Sequence, residues 1–280
     1  MKQFRILLIA ALSFFMAGQS KAGRVYYDSI QSKTLNLTVR FAVYLPSGYD
    51  KNTDKKYPVF YLLHGYGDTE TGWPQKGNMQ ILTDELMRSG EATEMIVIMP
   101  NCNWQDPKVH WGGYFDIDDW KYETFFFNEF IPFIENEKFR TFGDKGHRAV
   151  GGLSMGGGGS VSYCQRHPDK FSSCYDFSGW LHANVDSKSG YVTRGVNKHS
   201  CLEFMKNLTE DQKAQLRTVK WFIDCGDDDP GLENNEELYT LMKKAKVPCE
   251  MRIRDGVHNW EYWHTGLRLC LPFISRNFSK

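Results

Sequence analysis

The chain has no surplus of charge of either sign: 34 Lys and Arg balance 34 Asp and Glu over 280 residues, for a formal net charge of +0. It has neither a basic tail nor a clustered Lys/Arg stripe, so nothing in it suits the neutralisation of nucleic-acid phosphates or an anionic membrane. Long apolar runs are also missing. The run at residues 6–17 falls short of the ~20 residues that a membrane helix needs, and no later stretch is long enough either. No repeat or low-complexity linker divides the chain, and no cysteine pair has metal-ligand spacing, which argues against a repeat array and against a zinc module.

The N-terminus has the pattern of an export signal. Met1-Lys2-Gln3-Phe4-Arg5 is basic, residues 6–17 are apolar, and Ser20-Lys21-Ala22 places small residues where a signal peptidase reads. Residues 1–22 are therefore expected to be removed, leaving a soluble chain from about Gly23 in the periplasm or outside the cell. A lipoprotein signal would need a cysteine just after the cut, and the first cysteine is Cys102. Residues 23–280 have the length of one α/β domain, and a hydrophobic content of 41% supports a substantial core. The seven cysteines permit disulfides after export, but an odd count leaves at least one unpaired in a monomer, and spacing does not give the connectivity. Oligomeric state is not written in the pattern.

Chemistry concentrates around Gly152-Leu153-Ser154-Met155-Gly156, which follows the strand-like Arg148-Ala149-Val150-Gly151 and precedes a helical stretch ending before Pro168. A serine on such a strand-to-helix turn is held out toward substrate, and the helix start supplies backbone N–H groups and a positive dipole end. Gly156-Gly157-Gly158-Gly159 strengthens the reading. Each glycine in a helix costs about 1 kcal/mol relative to alanine, so four together imply close backbone approach. Ser160 and Ser178 lack this context.

A serine nucleophile needs a histidine base and a carboxylate to orient it, later in the chain and in the order acid, then base. The apolar stretch 219–223 reads as a buried strand running into Asp224-Cys225-Gly226-Asp227-Asp228-Asp229-Pro230. After a helical segment at 234–246, the strand candidate Cys249–Arg254 runs into Asp255-Gly256-Val257-His258. Carboxylates and histidine thus lie just beyond strand ends, where an open α/β sheet places its site. The rival base His264 falls within a helix expected over 260–271, which also carries Trp260 and Trp263, aromatics suited to meeting a sugar or phenolic ring. The apolar strand Val59–Leu63 leads into His64-Gly65-Tyr66-Gly67, whose glycines let the chain turn back over the serine. The N–H groups of Tyr66 and Met155 are the candidate oxyanion donors, and His64 reads as structural.

Around these motifs, strands are expected at Leu37–Leu45, as the start of the sheet, and at 95–99. Helices are expected at Met79–Ser89, ending on Gly90, and at 122–137 with a kink at Pro132. The alternation implies an α/β fold with a mostly parallel sheet covered on both faces. Residues 179–218 form a polar stretch, with Asn184, Lys188, Ser189 and Gly190, that reads as a small cap or insertion over the site and as a place where substrate choice resides. Asp116-Ile117-Asp118-Asp119 lacks the glycine and terminal glutamate of a calcium loop and reads as a solvated turn.

Strand-end His64-Gly65, the Gly-Leu-Ser-Met-Gly-Gly elbow, Cys225-Gly226-x-x-Asp229 and Asp255-Gly256-x-His258-x-Trp260-x-x-Trp263, with Tyr122-Glu123 and Phe130-Ile131-Pro132-Phe133-Ile134-Glu135 ahead of the elbow, together resemble the esterase D-type group of α/β-hydrolases. That group includes feruloyl and acetyl-xylan esterases of carbohydrate esterase family one, tributyrin esterases, S-formylglutathione hydrolases and mycolyltransferases. The resemblance implies a Ser154, Asp229, His258 triad, with Asp227 and Asp228 as departures that keep the choice of acid open. It also implies an α/β-hydrolase fold and a serine esterase acting through an acyl-enzyme with no cofactor and no metal. Export favours acyl or feruloyl esters of plant polysaccharide, or its fragments, as the substrate and disfavours the cytosolic thiol ester of S-formylglutathione. The alternatives are an acyltransferase to a sugar or lipid hydroxyl and a non-catalytic carbohydrate-binding protein on the same fold.

Overall fold

A computed structural model describes residues 22–102, 113–117, 119–181 and 199–280. Residues 1–21 of the expected signal, Asp118, and residues 182–198 of the expected insertion lie outside the described residues.

Eight strands form one sheet: β1 (Arg24–Ser32), β2 (Leu37–Leu45), β3 (Val59–Leu63), β4 (Ile96–Pro100), β7 (Arg148–Leu153), β8 (Ser173–Phe177), β9 (Lys220–Gly226) and β10 (Cys249–Arg254), with β5 (Asp116–Ile117) and β6 (Trp120–Lys121) as a separate hairpin. Their order is β1-β2-β4-β3-β7-β8-β9-β10. β2 is antiparallel to both β1 and β4, and every pairing from β4 to β10 is parallel. The central strands β3, β4, β7 and β8 are buried along their whole length, as strands covered on both faces must be.

Alternation along β3 divides the core in two. Val59, Tyr61 and Leu63 face a layer that includes Phe126, Tyr163 and Leu238, while Phe60 and Leu62 face one that includes Leu82, Leu86, Leu267 and Ile274. The first layer belongs to a helical segment starting with α3 (Tyr122–Phe125), to α4 (Met155–Arg166), α5 (Cys201–Lys206) and α7 (Leu232–Lys244); the second to α2 (Met79–Ser89) and α8 (Trp260–Arg276). The short helices α1 (Gly72–Gln75) and α6 (Glu210–Leu216) and a 3-10 turn at Lys145–His147 complete the described helices.

Four details differ from the sequence-based expectation. The sheet starts one strand earlier, at β1, an edge strand whose residues alternate in exposure and pair with β2 from Arg24↔Leu45 to Ser32↔Leu37. The helix at 122–138 is not simply kinked at Pro132: it widens into π-helical turns at Phe126–Phe130 and Phe133–Lys138, on either side of the residue that has no N–H to give. The last helix runs past Pro272 to Arg276 because Phe273 and Ile274 bury their side chains in the core beyond it. Asp116 belongs to the β5–β6 hairpin rather than a solvated turn, and accepts from Thr124 N–H (3.0 Å) and Oγ1 (2.5 Å). All seven cysteines are free thiols. Among the described residues, no helix is long and apolar enough to cross a membrane, and no cluster of His, Cys, Asp and Glu could hold a metal ion.

Candidate active site

Ser154 stands between β7 and α4 with φ 52° and ψ −116°, a conformation that a side chain adopts only when its surroundings enforce it. Three backbone hydrogen bonds do so: Ser154 N–H donates to Phe177 O (3.0 Å), and Ser154 O accepts from Gly158 N–H (3.0 Å) and Trp180 N–H (2.8 Å). The glycine run has its explanation in the neighbours. A Cβ on Gly156 would come within 2.6 Å of His64 O, and one on Gly158 within 2.1 Å of Trp180 O. Any larger residue would push the helix start off the sheet edge.

The structure brings three side chains together at that edge. His258, on the loop after β10, meets Ser154 Oγ with Nε2 (2.9 Å) and Asp229 Oδ2 with Nδ1 (2.8 Å). Both contacts are satisfied at once only if Nδ1 carries the proton and donates to Asp229, leaving Nε2 to accept from the serine hydroxyl. Burial pushes the Asp229 carboxyl up, but hydrogen bonds from His258 and from Gly231 N–H outweigh it and hold the group below the usual carboxylate range. It is therefore ionised wherever a neutral imidazole is present.

The other two aspartates of the loop do different work. Asp227 Oδ1 accepts from Gly256 N–H (2.9 Å) and Asp228 N–H (3.1 Å), tying the acid's loop to the base's loop, and Asp228 is exposed. Asp224, the first carboxylate after the expected strand, lies inside β9 instead. It is fully buried and accepts from Arg254 Nε (2.9 Å) and Nη2 (3.0 Å) and from the hydroxyls of Tyr175 (3.0 Å) and Tyr262 (2.6 Å). This network joins β8, β9, β10 and α8 beneath the His258 loop, and only the position of one aspartate in an apolar run hinted at it.

Gly65 sets the Tyr66 loop against the serine, since its Cβ would come within 2.4 Å of Leu153 Cδ1 and 3.4 Å of Ser154 Cβ. Met155 is the first residue of α4. His64 is buried, donates from Nδ1 to Gly65 O (2.8 Å) and accepts Cys102 N–H at Nε2 (3.2 Å). His264 engages Gly77 O (2.6 Å) through Nδ1, away from Ser154. Trp263 is only 6% exposed and stands edge-on to the His258 ring at 4.9 Å, whereas Trp260 is half-buried between Trp73 and Trp263. Trp180 (53% exposed) and Tyr66 (46%), both large aromatics, are the exposed rings on the two segments that flank Ser154.

Asp176, which the sequence pattern did not single out, is buried behind the elbow. Burial pushes its carboxyl well up, and its Oδ1 sits so close to Gly157 and Gly179 that a Cβ on either would come within 2.4 or 2.2 Å.

The His64 environment has a pH signature. Burial, only partly offset by the Gly65 carbonyl, holds the ring down to about 4. The unfolded chain takes up that proton near pH 6.5, so the stabilisation is complete above 6.5 and is lost as pH falls from 6.5 to 4. Wild type is expected to lose about 3 kcal/mol more stability across this window than His64→Gln does, measured by urea unfolding at several pH values. Parallel pH slopes for the two proteins would rule the assignment out.

The sequence profile of the Esterase family, described as "Putative esterase", matches residues 32–274. The endo-1,4-beta-xylanase/feruloyl esterase of Xylanibacter ruminicola is 31% identical over 243 residues, which is 85% of this chain but 29% of that protein, so the chain spans under a third of its length. The solved structure of a ferulic acid esterase superposes with a TM-score of 0.85 at 47% identity, covering 92% of this chain and 99% of that one. An S-formylglutathione hydrolase from Staphylococcus aureus, 19% identical and matched over 91% of this chain and 100% of its own, shares the fold with a TM-score of 0.74. With the profile covering most of its length, the chain belongs to the esterase family and has the α/β-hydrolase fold of its solved neighbours.

Proposed function

We propose that this chain is an exported feruloyl esterase that releases hydroxycinnamic acids from esters on plant polysaccharide or its fragments. The observation that carries the reading is the Ser154–His258–Asp229 hydrogen-bond chain at the sheet edge, flanked by the exposed rings of Trp180 and Tyr66. The 47% identity to a ferulic acid esterase supports the substrate class.

In this reading Ser154 Oγ attacks the ester carbonyl while His258 Nε2 takes its proton. Asp229 keeps the imidazole in the productive tautomer and stabilises its charged form. The tetrahedral oxyanion is received by the N–H groups of Tyr66 and Met155, each such donor contributing about 3 kcal/mol to the transition state. His258 then protonates the departing sugar alcohol, and water activated by the same imidazole releases the acid from Ser154. A flat ring beside the nucleophile gives a feruloyl group a face that an acetyl group cannot use. We expect kcat/KM on methyl ferulate to exceed that on a methyl or aryl acetate of matched leaving group by about tenfold or more. Equal or faster turnover of the acetate would assign the site to short acyl groups instead.

A further inference from the structure

Gly23, the residue before β1, is buried although β1 is an edge strand. Its N–H donates to Asp84 Oδ1 (2.7 Å), its carbonyl accepts from Gln80 Nε2 (2.7 Å), and the Tyr44 hydroxyl, itself buried, donates to the same Asp84 oxygen (2.7 Å). The seat fits only glycine, since a Cβ at this position would come within 2.5 Å of Tyr44 Oη and 2.6 Å of its ring carbons. The preceding residue, Ala22, is exposed and lies at a cavity of about 70 Å³ that Asp84, Glu94, Ser47 and Tyr44 also line.

An amide nitrogen has one proton to give, and one carboxylate oxygen already receives it. An ammonium nitrogen has three, and the cavity beside Gly23 is lined by Asp84, by Glu94, which pairs with Lys55, by the hydroxyl residues Ser47 and Tyr44, and by Pro46, Met87 and Arg88. A carboxylate, an adjoining cavity and a glycine-only seat at the residue following Ser20-Lys21-Ala22 make a receptor for a chain terminus.

We propose that the chain is cut between Ala22 and Gly23 and that the new α-amino group docks as an ammonium on Asp84, locking β1 to α2. A signal endopeptidase supplies the step: water adds across the Ala22–Gly23 amide, the C–N bond breaks, the water oxygen stays on Ala22, which leaves as a carboxylate, and both water protons pass to the Gly23 nitrogen, which becomes –NH3+. The cut converts a hydrogen bond with only its acceptor charged into an ion pair in which donor and acceptor are both charged. Export and final folding are thereby coupled at one nitrogen.

The test is to express the full chain in a bacterial host that exports it, recover the processed protein and determine its first residue by intact mass. Its α-amine is then labelled with a succinimidyl ester near pH 7, and the N-terminal peptide is quantified over time for wild type, Asp84→Asn and Gly23→Ala. The expected results are a chain starting at Gly23 and labelling about tenfold slower in wild type than in Asp84→Asn, as an ion pair that raises the amine by one pH unit requires. Gly23→Ala, which Tyr44 excludes from the seat, should label as fast as Asp84→Asn. A different first residue would overturn the cut. Equal labelling rates in wild type and either variant would overturn the docking.

Discussion

Ser154→Ala is expected to lower ester turnover by about four to six orders of magnitude while leaving the fold and substrate affinity in place. The expectation of an intact fold follows from what holds this residue. Its unusual backbone conformation is fixed by hydrogen bonds through Ser154 N–H and Ser154 O, none of which involves the hydroxyl. The hydroxyl's partner is His258 Nε2, so truncation removes the attacking atom and one hydrogen bond. Neither rival serine is placed to substitute, because Ser160 Oγ is spent on Gly156 O (2.7 Å) inside α4 and Ser178 is fully buried. The residual rate should come from the oxyanion donors and substrate binding alone. Steady-state kinetics on a short aryl ester, with thermal unfolding as the control for fold, decides it. Retention of more than about a hundredth of wild-type turnover would place the nucleophile elsewhere.

The parts of this site legible in the sequence are those whose chemistry and local backbone coincide. The elbow declares itself because strand, serine and glycine run are contiguous, and the glycines prove to be where His64, Asp176 and Trp180 approach the helix start. His258 is legible for a similar reason: it follows a strand and precedes the Asn259 cap of α8, whose side chain accepts Tyr262 N–H (3.0 Å). What the sequence conceals depends on packing between distant segments. Asp224 looks like the first of four equivalent loop carboxylates until Arg254, Tyr175 and Tyr262 converge on it from β10, β8 and α8. The strand β1 escapes notice because an edge strand needs no continuous apolar run; its partners are satisfied through the ladder to β2. The π-helical turns around Pro132 escape notice because their register is set by aromatic packing, such as Phe126 against Tyr61 (5.3 Å) and Tyr163 (4.9 Å), rather than by local propensity.

The choice among three consecutive aspartates shows how geometry separates residues of identical chemistry. Asp229→Asn is expected to cost about 10⁴ in kcat, whereas Asp227→Asn and Asp228→Asn should stay within about tenfold of wild type. At position 229 the side chain faces His258 Nδ1, and an amide there can present its NH2 group to that nitrogen. The imidazole then turns to the tautomer with its proton on Nε2, which can no longer accept from Ser154. Volume and the hydrogen bond from Gly231 N–H are preserved, so the loss is one of proton placement and charge rather than of folding. At position 227 the substitution keeps an oxygen that accepts Gly256 N–H and Asp228 N–H, so the loop junction survives with a weaker, uncharged acceptor. At position 228 the side chain is exposed and only a solvated charge is removed. The three variants are compared through kcat on a single ester, with KM and melting temperature recorded to separate chemistry from binding and stability. Comparable losses in all three, or a dominant loss at Asp227, would mean that the loop's shape rather than one carboxylate governs the base, and the acid would have to be reassigned.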